Sequence, residues 1–148
     1  MGFFDTLKVM KDIVKGGIAA YESGEKLDEL IEKSIDEYED SLSSDEKKLH
    51  EKYLKAKEDY EEYDDDDNDK KNKLLEKNED CQIEYLEALT KNNSLPKDFR
   101  DEIKTAIEEF KKADNFALES LGETLTKAAE TDEQREEIKK TIEESKRK

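Results

Sequence analysis

The sequence predicts an all-α protein: an elongated antiparallel helical bundle, or helical hairpins, with coiled-coil-like seams. Three observations carry this expectation. Glycine and proline are scarce, 5 and 1 in 148 residues, so the turn chemistry of an all-β fold is missing. Charged residues make up 47 % of the chain, and Leu, Ile, Val and Phe together about 20 %, near the level below which chains fail to bury enough apolar surface to fold. Narrow stripes on charged helices use so thin an inventory better than a broad core does. Third, the apolar residues recur at helical spacing along most of the chain. The length predicts one domain.

Taken in order, residues 1–20 form an amphipathic helix in which Phe3, Leu7, Met10 and Val14 step by four, three and four, flanked by Phe4 and Ile13. Gly16 and Gly17 weaken it, because each interior glycine costs about 1 kcal/mol. Residues 25–63 read as a helical hairpin or one long helix. Its first part carries the stripe Leu27, Leu30, Ile31, Ile35, Tyr38 and Leu42. Ser43 with Glu46 matches a reciprocal capping box. Leu49, Tyr53, Ala56, Tyr60 and Tyr63 then keep a four-three-four-three seam.

An acidic turn is expected over 64–73, since a run without apolar side chains cannot pack and repels itself. Periodicity resumes over 74–91 through Leu75, Cys81, Ile83, Tyr85, Leu86 and Leu89, and "KNNSLP" stops it. A helix over 97–130 presents Phe99, Ile103, Ala106, Phe110, Ala117, Leu121 and Leu125, widened by Phe116 and Leu118. Gly122 marks a bend or a close contact. Thr131 and Gln134 make a second capping box. The tail helix, 132–148, offers only Ile138 and Ile142 and is expected to be weakly packed.

Net charge is −16. Residues 1–20 sum to +1, with Lys8, Lys11 and Lys15 against Asp5 and Asp12, so the remainder carries −17. Such a body repels DNA, RNA and anionic lipid, which excludes direct nucleic-acid binding and admits a basic protein partner. No stretch reaches the ~18 apolar residues of a membrane span, and the charges within 1–20 make a poor signal peptide. A cytoplasmic protein is expected, or one peripheral to a membrane.

The stretch "EDYEEYDDDDNDKKNKLLE" invites three readings. Asp65, Asp67, Asp69 and Glu76 fall at positions one, three, five and twelve of a calcium loop. Lys70 stands where that loop needs glycine, however, so a solvated acidic turn is the expectation and no metal is assigned. Glu58, Asp59, Glu61, Glu62, Asp64, Asp65, Asp66 and Asp67 could also present an acidic face to a basic partner, imitating nucleic-acid phosphate. Lysines 47, 48, 52, 55 and 57 dilute that face through i,i+4 pairing.

Catalysis finds little support. The single histidine, His50, is read as a surface residue, and Glu46 lies four before it rather than the three of a carboxylate–histidine metal bundle. Cys81 lies among acids that raise its pKa. No phosphate-binding glycine loop, zinc-protease helix or nucleophile elbow occurs. No enzyme activity and no cofactor are expected.

"MGFF" opening an amphipathic helix, followed by "GEKLDELIEKSIDEYEDSL", resembles the start of phage-shock-protein-A and related ESCRT-III-like membrane-remodelling proteins over about the first 42 residues. That resemblance implies a lipid-inserting first helix, with Phe3, Phe4, Leu7, Met10, Ile13 and Val14 facing lipid, and a long helical hairpin after it. The leading expectation is a non-enzymatic acidic protein-interaction protein: an adaptor, inhibitor or oligomeric scaffold that binds another protein, a basic one included, or itself. Its contacts would be the apolar first helix or the acidic face. A peripheral membrane protein and a phosphate-mimicking inhibitor of a basic nucleic-acid-binding protein are the alternatives.

Overall fold

A computed structural model describes residues 22–146 of the chain. Phe3, Phe4, Leu7, Met10, Ile13 and Val14 lie outside the described residues. These contain five α-helices and no strand, an all-α bundle: α1 Glu22–Tyr38, α2 Ser44–Glu61, α3 Asn68–Thr90, α4 Lys97–Ala128 and α5 Asp132–Ser145.

Local chemistry sets the boundaries. The stretch 25–63 is two helices. A 3₁₀ turn, Glu39–Ser41, closes α1, and Leu42 turns extended (φ −83°, ψ 138°). Ser43 Oγ then accepts from Glu46 N at 3.1 Å, while Glu46 Oε1 accepts from Ser43 N at 2.8 Å. That reciprocal cap satisfies two donors that α2 would otherwise leave orphaned. Helix α3 starts at Asn68, well before the first leucine at 74, because Asp67 caps it, accepting from Lys70 N at 3.2 Å. A capped start with acids in the first turn favours helix even without apolar residues. Only 62–67 therefore remain as the turn. Pro96, with extended backbone, precedes α4. Thr131 and Gln134 form the box that opens α5.

Two apolar clusters lie along the 32-residue α4. The larger joins Leu27, Leu30 and Ile31 of α1, Tyr53 and Ala56 of α2, Tyr85, Leu86 and Leu89 of α3, and Phe99, Ile103 and Phe110 of α4. The smaller joins Leu118, Leu121 and Leu125 of α4 to Ile138 and Ile142 of α5. Both isoleucines of α5 are buried. Helices α2 and α3 form an intimate hairpin, α1 packs across α3 and α4, and α5 packs on the far half of α4.

Gly122 marks a close approach: a Cβ there would lie 3.1 Å from Ile142 Cγ1. Phe116 does not widen the buried face of α4 as its spacing suggested. It is 71 % exposed, because the face turns through Ala117 and Leu118 toward Leu121.

Candidate interaction surface

The end of the α2–α3 hairpin gathers the acidic residues. Helix α2 runs into it with no basic residue in its last turn. Glu58 and Glu61, and Glu62 just beyond, thus sit where the helix dipole is already negative, an unfavourable placement. Glu58, Glu61, Glu62 and Asp64–Asp67 are all exposed, and Asp59 is half-buried. The turn holds itself by local bonds. Asp66 N donates to Asp65 Oδ1 at 2.8 Å, Glu62 N to Glu58 O at 2.9 Å and Tyr63 N to Tyr60 O at 3.3 Å.

The nearby cations are mostly directed elsewhere. Lys70 lies over the Tyr63 ring at 5.5 Å and Lys71 over Tyr60 at 6.0 Å. Lys55 pairs with Asp59 at 3.0 Å, and Lys73 with Asp69 at 3.5 Å. Among the described residues, no cation comes within ion-pair distance of Glu58, Glu61, Glu62 or Asp64–Asp67. The resulting potential shows at Tyr63. Its hydroxyl is pushed above the usual tyrosine range, first by desolvation and then by Asp65, Asp67 and Asp66.

The calcium spacing is not assembled. Residues 68–76 are helical, so Asp69 and Glu76 stand about 10 Å apart along the axis at 1.5 Å per residue. One calcium ion needs its oxygens at about 2.3–2.6 Å. The described residues hold no group of three or more acids, histidines or cysteines placed for a metal.

His50 is not a plain surface residue. It is half-buried, its ring 5.4 Å from Tyr85 and 6.3 Å from Tyr53. Burial lowers its pKa, against Glu51 and Glu39. Cys81 is buried as a free thiol and pushed upward, by burial before any acid. It lacks the thiolate character that reactivity needs.

Sequence reasoning missed a set of interior polar joints. Asp28 Oδ1 accepts from Tyr53 OH at 2.8 Å and from Gln82 Nε2 at 2.6 Å, tying α1 to α2 and α3. Asn92 Nδ2 donates to Glu46 Oε1 at 2.7 Å and Ser41 O at 3.0 Å, tying the α3–α4 loop to the cap of α2. Ser34 Oγ lies 2.6 Å from Tyr85 OH, both fully buried. Ser34 had a signal: it falls between Ile31 and Tyr38 in the stripe of α1, where solvent does not reach.

No helix among the described residues is long and apolar enough to cross a membrane. No protein-family model, curated protein or solved structure matches this chain.

Proposed function

We propose that this chain is a non-enzymatic interaction protein whose α2–α3 tip docks on a basic surface of another protein. One observation carries the reading: seven exposed carboxylates, Glu58, Glu61, Glu62 and Asp64–Asp67, stand together with no cation of the described residues within ion-pair distance. Exposed carboxylates are ordinarily interspersed with lysine, and such mixing does occur along the rest of α2. At the tip the lysines lie over tyrosine rings instead. A basic partner would relieve the adverse charge at the end of α2 and would be steered toward it. The sharper form of this reading is inhibition of a nucleic-acid-binding protein, with the tip standing in for phosphate. A cytoplasmic location accords with such partners.

The test is capture from source-cell lysate by tagged protein, compared with Asp64→Asn/Asp65→Asn/Asp66→Asn/Asp67→Asn. The specific partner should be basic, and its recovery should fall with the neutralised tip and with added salt. Loss on adding DNA would select the phosphate-mimicking form. Undiminished capture by the neutralised variant would refute the tip as the contact.

A further inference from the structure

We propose that the far half of α4, together with α5, is a docking face for this chain's own N-terminal segment, and that Phe3, Leu7, Met10 and Val14 are its contacts. The burial of a two-helix hairpin points to this. Leu118, Leu121, Leu125, Ala129, Ile138 and Ile142 form one cluster that belongs to α4, α5 and the residue following α4, and no other described element contributes a member. Yet Leu118 is 0 % exposed, Ile138 1 %, and the other four no more than 7 %. Two helices meet along a single line, their axes about 8–10 Å apart. Side chains between them stay open to water on both flanks. Closure this complete calls for a third apolar surface, as in the other half of the bundle, where four helices supply the core.

The path of the chain says which surface fits. Residues 1–21 precede α1. Helix α1 runs antiparallel to α4: Tyr38, at its end, lies 4.8 Å from the Phe99 ring, and Gly24, near its start, shares a cleft with Phe110. A segment that continued the line of α1 backward would pass along Leu118 and Leu125, away from Phe99. Phe110 to Leu125 is about 22 Å along the axis, and Phe3 to Val14 at helical spacing is about 17 Å. The stripe therefore matches the face in length, with residues 15–21 left to make the join. Charge agrees as well. The segment carries Lys8, Lys11 and Lys15, while α5 and the far half of α4 each hold more acids than bases. Docked in this way, the stripe is withheld from lipid and from other proteins until the segment is released.

The test uses the full ¹⁵N-labelled chain with a nitroxide on Asp12→Cys and the buried Cys81 replaced by Ala. At helical spacing Asp12 lies opposite the apolar stripe, so the label leaves the contacts intact. The expected result is broadening of amide signals over 118–125 and 138–142, with those of 85–89 unaffected. Mixing nitroxide-bearing chain that lacks ¹⁵N with ¹⁵N chain that lacks the label should broaden nothing. Without any label, Leu7→Asp/Met10→Asp should speed hydrogen exchange across α5 by about tenfold or more, the scale of one buried apolar side chain. Absence of broadening on α4 and α5 would overturn the proposal. So would broadening only between mixed copies, which would make the occupant a second chain, or parent-like exchange in Leu7→Asp/Met10→Asp.

Discussion

Ser34→Ala should destabilise the bundle more than Tyr85→Phe, and the double replacement should cost less than Ser34→Ala alone. The reason is the direction of two short bonds. Ser34 Oγ lies 2.6 Å from Ile31 O and 2.6 Å from Tyr85 OH. A serine has one hydroxyl proton. The Ile31 carbonyl can only accept, so that proton goes to it, and Tyr85 donates to Ser34. Ser34→Ala then strands the Tyr85 O–H, fully buried, at about 1–3 kcal/mol, offset by about 0.5 kcal/mol of better helix propensity. Tyr85→Phe leaves the Ser34 proton on Ile31 and forfeits one net hydrogen bond, about 0.5–1.5 kcal/mol. Removing both partners together is nearly neutral for a pair of this kind. Urea unfolding followed by circular dichroism resolves such differences against a total of about 5–15 kcal/mol. If Tyr85→Phe costs more than Ser34→Ala, or the two effects add within about 0.5 kcal/mol, the assigned direction is wrong.

Three further outcomes are expected. Asp67→Ala should lose the cap of α3, about 1 kcal/mol, whereas Asp64→Asn, which caps nothing, should leave thermal stability unchanged or higher; melting curves separate the two. Gly122→Ala gains about 1 kcal/mol of helix propensity, but the 3.1 Å approach to Ile142 sets against it an overpacking cost of about 1–3 kcal/mol. Hydrogen exchange should therefore show α5 loosened while α1–α3 are unaffected. His50 has its pKa lowered by burial, so the unfolded chain binds the proton more readily. Its contribution to stability is complete above the ordinary histidine value of about 6.5 and is lost as pH falls from there through the folded value. His50→Phe should flatten that part of the stability–pH curve, and an unchanged slope would mean that other groups carry it.

The helices were legible because each apolar stripe has one period and each cap its own residues. Ser43 with Glu46 and Thr131 with Gln134 announce their bonds in sequence, since all the partners lie within one turn. The early start of α3 was missed because periodicity registers only apolar residues, while the capping that begins this helix is polar. Phe116 misled for the opposite reason: spacing shows which residues could share a face, and tertiary contact decides where the face stops. Residues of the acidic tip are contiguous, so sequence brings them together unaided. Which of its cations are engaged is a question of lysines reaching over Tyr60 and Tyr63. The joint of Asp28 with Tyr53 and Gln82 spans 25 and 54 residues, a separation that no local pattern records.

The tip and the core beneath it are linked by charge. Repulsion among the carboxylates that would steer a basic partner also weakens the hairpin end that holds them, because Glu58, Glu61 and Glu62 crowd the negative end of α2. The fold offsets this locally. Asp67 is placed as a cap on the favourable end of α3, and Tyr60 and Tyr63 give the adjacent lysines an apolar seat. Salt acts on the two consequences with opposite sign. Screening relieves the self-repulsion of a chain at −16 and so supports the fold, but it also diminishes attraction to a basic surface. A loss of capture with rising salt, at salt concentrations that do not lower the melting temperature, therefore does not come from unfolding. It reports the contact itself, and for that reason salt separates binding at the tip from stability more cleanly than any single substitution within it.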